Sequence, residues 1–234
     1  GTSPTYKSDL WTYSLSSNTW TEKSPSSKPT ARHDSAMVYD DARGKLLVLG
    51  GRAELAGQHA SFDQEEVDAS TADIGEWSDL VLDDDGHSHI SYFDDTNDDV
   101  EYAEWTGSAW SKSTVDSSAD FGPTAIVLDA SGLPHVLYRD SNGDLMHGYK
   151  TSASSSWTTE IADASHDDTA GSGLDLAIDK HGYLHAAYWY QSAQDLYYVK
   201  KTTSWGTPQA LDTTSTVGYQ PSITVDRDGN PHIA

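Results

Sequence analysis

The chain has 234 residues, no cysteine and a formal net charge of −23, because 37 Asp and Glu residues outnumber 14 Lys and Arg residues. This charge disfavours nucleic acids and anionic membranes as partners, and the lack of cysteine excludes disulfides, thiolate metal sites and a cysteine nucleophile. No segment approaches the roughly 18 apolar residues of a membrane-spanning helix, and no signal peptide is visible.

The N-terminal part predicts two strands, at residues 6–13 and 19–22, in the pattern of the third and fourth strands of a repeat unit. Residues 9–51 carry four short motifs: Asp9-Leu-Trp-x-Tyr13, Asn18-x-Trp20, Pro29-x-x-Arg32 and Gly50-Gly51. Together they resemble a kelch unit, which implies one blade of a β-propeller. The chain also lacks an initiator Met, which indicates a processed product or a piece of a longer chain.

A repeat organises the rest of the chain. Residues 81–90, 127–136, 177–186 and 224–233 each read as a strand, an Asp-x-x-Gly turn and a second strand that opens with His; residues 38–48 are a divergent copy. These units resemble the repeats of bacterial secreted propellers, distantly similar to the sialidase-like group. The sequence has neither a regular Asp box nor an arginine triad, so the resemblance does not imply sialidase activity. The anchoring aspartates stand at intervals of 43, 46, 50 and 47 residues: Asp40, Asp83, Asp129, Asp179 and Asp226.

The spacing stays in phase when it is counted across the two termini. It therefore predicts an all-β, five-bladed propeller with four-stranded antiparallel blades, closed by N- and C-terminal strands that share one blade. An open solenoid is the alternative, and it would need polar caps at both ends. The predicted blades of this single domain are residues 216–234 plus 1–24, 25–70, 71–117, 118–165 and 166–215.

Four histidines occupy one equivalent position, at the start of the second strand of each unit. Because the repeat places them in different blades, they cannot converge on one metal ion, and we expect them to form structural hydrogen bonds. They are His89, His135, His185 and His232.

The residues that break the repeat are the candidates for function. Four positions before the anchoring aspartate, small residues alternate with Asp79 and Asp175, which we expect to face water, a cation or a hydrogen-bond donor near the axis. Seven or eight positions before it, the residues that lead into the first strands should converge on one face with these carboxylates. They include Arg32, His33, Glu76 and Tyr219.

Two interpretations of this cluster stay open. In the functional one, Asp79, Asp175, Glu76 and His33 bind a divalent metal, Ca²⁺ or Zn²⁺/Mn²⁺, while His33, Arg32 and Tyr219 serve catalysis. In the structural one, the acids only solvate the mouth of a channel.

Further singular residues predict a different site. Arg139, Trp189 and Tyr190 are expected in equivalent loops on the same face, where exposed aromatic rings beside acids would suit stacking against sugars. The acidic run at residues 94–99 could bind calcium, although its spacing differs from an EF-hand and also fits a solvated loop.

These patterns favour a ligand-binding propeller that acts as a metal-assisted hydrolase of esters or phosphoesters. The alternatives are a lectin-like, carbohydrate-binding module and a non-catalytic propeller that binds other proteins. In each case the acidic composition is compatible with an extracellular or periplasmic monomer. For the hydrolase and the lectin-like module, the expected ligand is a small molecule or a glycan.

Overall fold

A computed structural model describes residues 10–14, 19–23, 32–40, 45–53, 67–68, 74–119, 122–166, 173–214 and 216–234. These residues form strands and turns, and none of them forms a helix of the length and apolarity that crossing a membrane requires. The strands in this described part are β1 (Leu10–Ser14), β2 (Thr19–Lys23), β3 (Arg32–Asp40), β4 (Lys45–Ala53), β5 (Ile74–Leu82), β6 (Ser88–Asp94), β7 (Asp99–Trp105), β8 (Trp110–Asp116), β9 (Ala125–Leu128), β10 (Pro134–Arg139), β11 (Leu145–Tyr149), β12 (Thr158–Asp163), β13 (Leu174–Ile178), β14 (Leu184–Tyr190), β15 (Asp195–Lys201), β16 (Gln209–Asp212), β17 (Ile223–Val225) and β18 (Pro231–Ile233).

Three of the predicted units are complete antiparallel sheets of four strands in chain order. They are β5-β6-β7-β8, β9-β10-β11-β12 and β13-β14-β15-β16. The pairs β1-β2, β3-β4 and β17-β18 form two-stranded sheets, and β1-β2 matches the hairpin predicted near the start of the chain. Among the described residues β18 pairs with β17 alone, so the blade count and the closure of the ring stay predictions.

The Asp-x-x-Gly turns have the predicted chemistry. In the turn after β9, one carboxylate oxygen of Asp129 accepts hydrogen bonds from the backbone N–H groups of Ser131 and Leu133. Gly132 donates its N–H to the carbonyl of Asp129 and has a φ of 74°, which glycine adopts without steric cost. The turns that begin at Asp83, Asp179 and Asp226 repeat these bonds. The repeated motif therefore closes each first strand onto its second strand.

The second strand of each complete sheet is buried along nearly its whole length, because alternate side chains enter two different cores. Along β10, Val136 and Tyr138 pack against the sheet β5–β8, whereas Leu137 packs against the sheet β13–β16. The first strands β3, β5, β9, β13 and β17 contact one another in that order. This arrangement of sheets side by side around their first strands is propeller-like.

A repeated hydrogen bond joins neighbouring sheets. The hydroxyl of Tyr138 on β10 donates to Asp116, the last residue of β8, at 2.6 Å. Tyr188 on β14 donates in the same way to Asp163, the last residue of β12, at 2.5 Å. Burial and the adjacent carboxylate raise the pKa of both tyrosines well above their usual range, so both hydroxyls keep their protons.

The repeated histidines have the structural role that the sequence predicts. The imidazole of His185 lies 3.3 Å from the carboxylate of Asp179 through Nε2, and 2.8 Å from the hydroxyl of Tyr198 through Nδ1. His89 makes the equivalent contacts with Asp83 and Tyr102. Each ring thus links the turn at the start of its own strand to the third strand of the same sheet.

Replacing Tyr138 with Phe should test the bond between sheets. The substitution removes the hydroxyl and leaves the carboxylate of Asp116 without its donor from β10. We expect the free energy of unfolding in urea to fall by about 1–3 kcal/mol. Tyr149→Phe is the matched control, because within the described residues the Tyr149 hydroxyl makes no hydrogen bond. Equal losses in the two variants would contradict a role for the bond.

Candidate functional site

The candidate site lies where the chain enters the first strands of the sheets, an end that we call the lead-in face. Neighbouring first strands run in the same direction, since Thr124 beside β9 bonds Trp77 of β5 and Ile126 of β9 bonds Asp79 further along β5. The residues that precede Asp79 and Asp175 therefore reach the same end of the molecule. Trp77 and Tyr219 lie at this end.

Asp79 and Asp175 face hydrogen-bond donors, which is one of the three environments that the sequence predicts. Asp79 accepts the backbone N–H of Leu80 at 2.8 Å with one oxygen and that of Ile126, on the next sheet, at 2.9 Å with the other. Asp175 repeats this geometry with Leu176 at 2.8 Å and Ile223 at 2.7 Å. Both carboxylates therefore connect one first strand to the next.

Burial raises the pKa of Asp79 to about 6, although the two backbone N–H groups act in the opposite direction. The negative charge of Asp175 contributes a smaller rise. Burial likewise raises the pKa of Asp175. The burial of each carboxylate therefore favours its protonated form.

The other predicted ligands and catalytic residues are placed only through their backbones. Arg32 and His33 begin β3, where they pair with Ala53 and Arg52 of β4, and Glu76 lies on β5 opposite Phe93. Their side chains lie outside the described part of the structure. The metal site and the catalytic roles of Arg32, His33 and Tyr219 therefore stay predictions.

One group of described side chains does have ligand atoms within 4.8 Å of one another: Asp83, Asp85 and His87. It lies in the turn between β5 and β6, at the end opposite the lead-in face. One oxygen of Asp83 accepts the N–H groups of Asp85 and His87, and its other oxygen is 3.3 Å from the His87 ring. These three side chains could hold a divalent cation, whereas among the described residues Asp79 and Asp175 belong to no such group.

The prediction of exposed sugar-stacking residues at Arg139, Trp189 and Tyr190 is wrong in its placement. These residues end strands β10 and β14, and Arg139 and Trp189 are only 2% and 5% exposed. The guanidinium of Arg139 donates to backbone carbonyls of Gly143, His166 and Trp189. Facing sheets cover both strand ends, so the rings are buried where a loop would have exposed them.

The acidic run at residues 94–99 forms a turn between β6 and β7. The carboxylate of Asp94 accepts the backbone N–H groups of Thr96 and Asn97, and its second oxygen accepts the side-chain amide of Asn97. These bonds explain the local fold of the turn without an ion. Calcium binding at this turn stays a prediction.

The sequence interpretation missed Trp77. The pairing of β5 with β6 shifts register on both sides of Glu76, and Trp77 adopts a left-handed backbone with a φ of 54°. Its carbonyl accepts the N–H of Thr124 at 3.2 Å and the Thr124 hydroxyl at 3.0 Å. The residue is 38% exposed on the lead-in face. A bulky residue rarely adopts this backbone, so Trp77 is a candidate for function.

Tyr219 was predicted at this face and lies there. Its ring is 51% exposed and packs edge-to-face against Trp189, with ring centroids 5.1 Å apart. Its carbonyl accepts the N–H of Gly173 at 2.8 Å. The lead-in face therefore presents two exposed aromatic side chains, each on a backbone held by the neighbouring sheet.

Comparisons with known proteins show the fold and no family. No protein-family model and no curated protein matches the sequence. The solved structure of AofleA from Arthrobotrys oligospora is similar at 16% identity with a TM-score of 0.51, and a triple arginine-to-alanine mutant of it at 15% with 0.52. Each alignment covers 68% of this chain and 49% of that chain, so the chain spans about half the length of these structures.

A mutant of Aleuria aurantia lectin, solved in complex with Fucα1-6GlcNAc, is similar at 16% identity over 80% of this chain and 61% of that chain, with a TM-score of 0.48. At such identities a likeness concerns the fold. The likeness to AofleA agrees with the propeller-like arrangement of antiparallel sheets described above.

Asp79 should make stability depend on pH. Its pKa of about 6 exceeds its ordinary value of 3.8, so between these pH values the folded chain holds a proton that the unfolded chain has released. The stabilisation from this group is therefore present below about pH 4 and is lost as the pH rises to about 6. In Asp79→Asn this part of the pH dependence should disappear, a change on the order of 1–3 kcal/mol between about pH 4 and pH 7.

Urea unfolding at a series of pH values measures this effect. Asp84→Asn changes an exposed carboxylate in the turn after β5 and should keep the wild-type profile. A wild-type profile in Asp79→Asn as well would show that the burial of Asp79 does not govern its titration.

Proposed function

We propose that this protein binds carbohydrate through the lead-in face. The observation that carries the proposal is the pair of exposed aromatic side chains, Trp77 and Tyr219, whose backbones are fixed by hydrogen bonds to Thr124 and Gly173. The face of a pyranose ring that carries C–H bonds is apolar and packs on such rings, while its hydroxyls stay in contact with water. Aromatic side chains provide this contact area at a low cost in conformational entropy.

Fixed backbones are what separates these two residues from incidental surface aromatics. Holding Trp77 in a left-handed conformation costs free energy that a merely exposed residue would not need to spend. A rigid platform reduces the entropy lost when a ligand binds. The net charge of −23 further favours neutral glycans over sialylated or uronic ones.

The hydrolase hypothesis has less support from the described side chains. Both oxygens of Asp79 and of Asp175 already accept backbone N–H groups, so these carboxylates have a structural role without an ion. Metal-assisted hydrolysis of esters or phosphoesters stays a prediction.

The platform is tested by alanine substitution and glycan binding. A panel of immobilised neutral, sialylated and uronic glycans identifies the best neutral ligand, whose affinity is then measured by titration calorimetry. We expect Trp77→Ala and Tyr219→Ala each to lower the affinity at least about tenfold, or about 1.4 kcal/mol, because each removes a stacking surface. The experiment would contradict the proposal if no neutral glycan bound the wild-type protein.

Tyr183→Ala is the matched control. Tyr183 is also an exposed tyrosine, at 36%, but it lies in the Asp-x-x-Gly turn before β14, at the opposite end of the molecule. Its removal should leave the affinity unchanged. A loss in Tyr183→Ala as large as that in Tyr219→Ala would place the binding site elsewhere.

For the scaffold we propose five blades closed into a ring. The hairpin β17-β18 follows the pattern of first and second strands, and β1-β2 follows that of third and fourth strands, so the two hairpins together make up one blade. The series of contacts from β3 to β17 supports this order of blades. Closure would leave no long exposed strand edge.

Deletion of residues 1–22 tests the closure. Without β1 and most of β2 the shared blade loses its outer strands, and we expect the sharp thermal unfolding transition of the full chain to broaden or disappear. Calorimetry of both chains measures this. A truncated chain that unfolds as sharply as the full chain, and at the same temperature, would rule out the shared blade.

A further inference from the structure

Trp189 has a buried N–H group that the described residues leave without a hydrogen bond. Its side chain lies near the end of β14 and is 5% exposed, and no described atom accepts a bond from Nε1. Two tryptophans elsewhere in the described structure do have acceptors: Trp157 donates to Ser113 at 3.0 Å and Trp205 to Glu160 at 3.1 Å. A buried donor without an acceptor costs free energy, so its presence calls for an explanation.

The position of Trp189 supplies one. Trp110 also has a buried indole N–H without an acceptor among the described residues, but it begins the outer strand β8 and packs against Trp105. Trp189 instead makes an edge-to-face contact with the exposed residue Tyr219 on the lead-in face. Of these two indole groups, that of Trp189 is therefore the one beside the proposed platform.

The backbone around Tyr219 is clamped while its ring is not. Gly173 donates its N–H to the Tyr219 carbonyl and accepts the N–H of Trp189 at 3.2 Å, so it lies between the two residues. A Cβ on Gly173 would come within 2.7 Å of the Tyr219 carbonyl oxygen. Gly218, with a φ of 72°, leaves no room for a Cβ beside Leu196. The backbone on either side of the Tyr219 ring is therefore closely packed, whereas the side chain itself could rotate away from Trp189 without moving the chain.

We propose that Trp189 is the hydrogen-bond donor of the carbohydrate site and selects a neutral pyranose; this inference rests on the proposed function. A hydroxyl or ring oxygen of the sugar accepts the Nε1 proton, while the C–H face of the same sugar packs on the Tyr219 ring. Binding thus satisfies a donor that has no acceptor among the described residues of the free protein.

The chemistry of the donor and its surroundings defines the ligand class. An indole N–H can only donate a hydrogen bond, so it recognises an acceptor such as a hydroxyl or ring oxygen of a sugar. It makes no hydrogen bond with an ammonium group, because that group also only donates. The overall net charge of −23 disfavours a sugar carboxylate. Neutral pyranosides are the remaining class.

Indole ¹⁵N–¹H spectra of the uniformly labelled full chain test the contact directly. The probes are the methyl glucopyranoside, mannopyranoside and galactopyranoside, with glucosamine and glucuronate for comparison. We expect at least one neutral glycoside to shift the Trp189 indole resonance downfield and slow its exchange with water, with no such change at Trp157 or Trp205. Single Trp→Phe variants assign the three resonances.

Affinity for the glycoside that binds best provides a second measurement. Trp189→Phe keeps an aromatic ring and removes the donor, and we expect affinity to fall about fivefold to tenfold. Trp157→Phe and Trp205→Phe, the matched controls, should bind like wild type because their N–H groups are used within the protein.

The outcomes separate the two proposals. Loss of binding in Tyr219→Ala together with an unshifted Trp189 resonance and unchanged affinity in Trp189→Phe would overturn the donor role and leave carbohydrate binding intact. If no neutral glycoside binds wild type, both proposals fail. If Trp189→Phe does not fold, triple-resonance assignment of the wild-type chain identifies the Trp189 indole resonance, and its shift decides alone.

Discussion

A tyrosine hydroxyl on the second strand of one sheet donates a hydrogen bond to an aspartate at the end of the outermost strand of the preceding sheet. Tyr138 with Asp116 and Tyr188 with Asp163 make this bond across two successive boundaries between sheets. Hydrophobic burial alone would let two such sheets slide, because it has no preferred direction. The directional bond fixes the angle and height at which one sheet meets the next, and therefore where the first strands place their side chains.

The same logic applies to the residues that break the repeat. Asp79 and Asp175 interrupt a series of small residues, yet each accepts a backbone N–H from the next first strand. Ala125 occupies the equivalent position on β9, and its side chain has no carboxylate that could accept such a bond. A residue that departs from a repeat is therefore not necessarily functional, because a boundary between two sheets can also require a singular side chain.

Function is better indicated by aromatic side chains that stay exposed on backbones that the scaffold fixes. Trp77 keeps an unfavourable backbone conformation and Tyr219 keeps an exposed ring, although both backbones are fixed. Both lie at the end of the molecule where the first strands begin, so one ligand face follows from the direction that these strands share.

The sequence by itself determined the local structure: the Asp-x-x-Gly turns, the strands on either side of them, the structural role of the repeated histidines and the all-β class. These features depend on residues within one unit, where spacing and turn chemistry leave few alternatives. Only the tertiary structure decided which side chains reach the surface. Trp189 is buried because another sheet faces it, and Trp77 is exposed because β5 shifts register beside it. A shift of one residue reverses the side to which a strand residue points, and that shift depends on contacts with a partner strand that the sequence pattern does not contain.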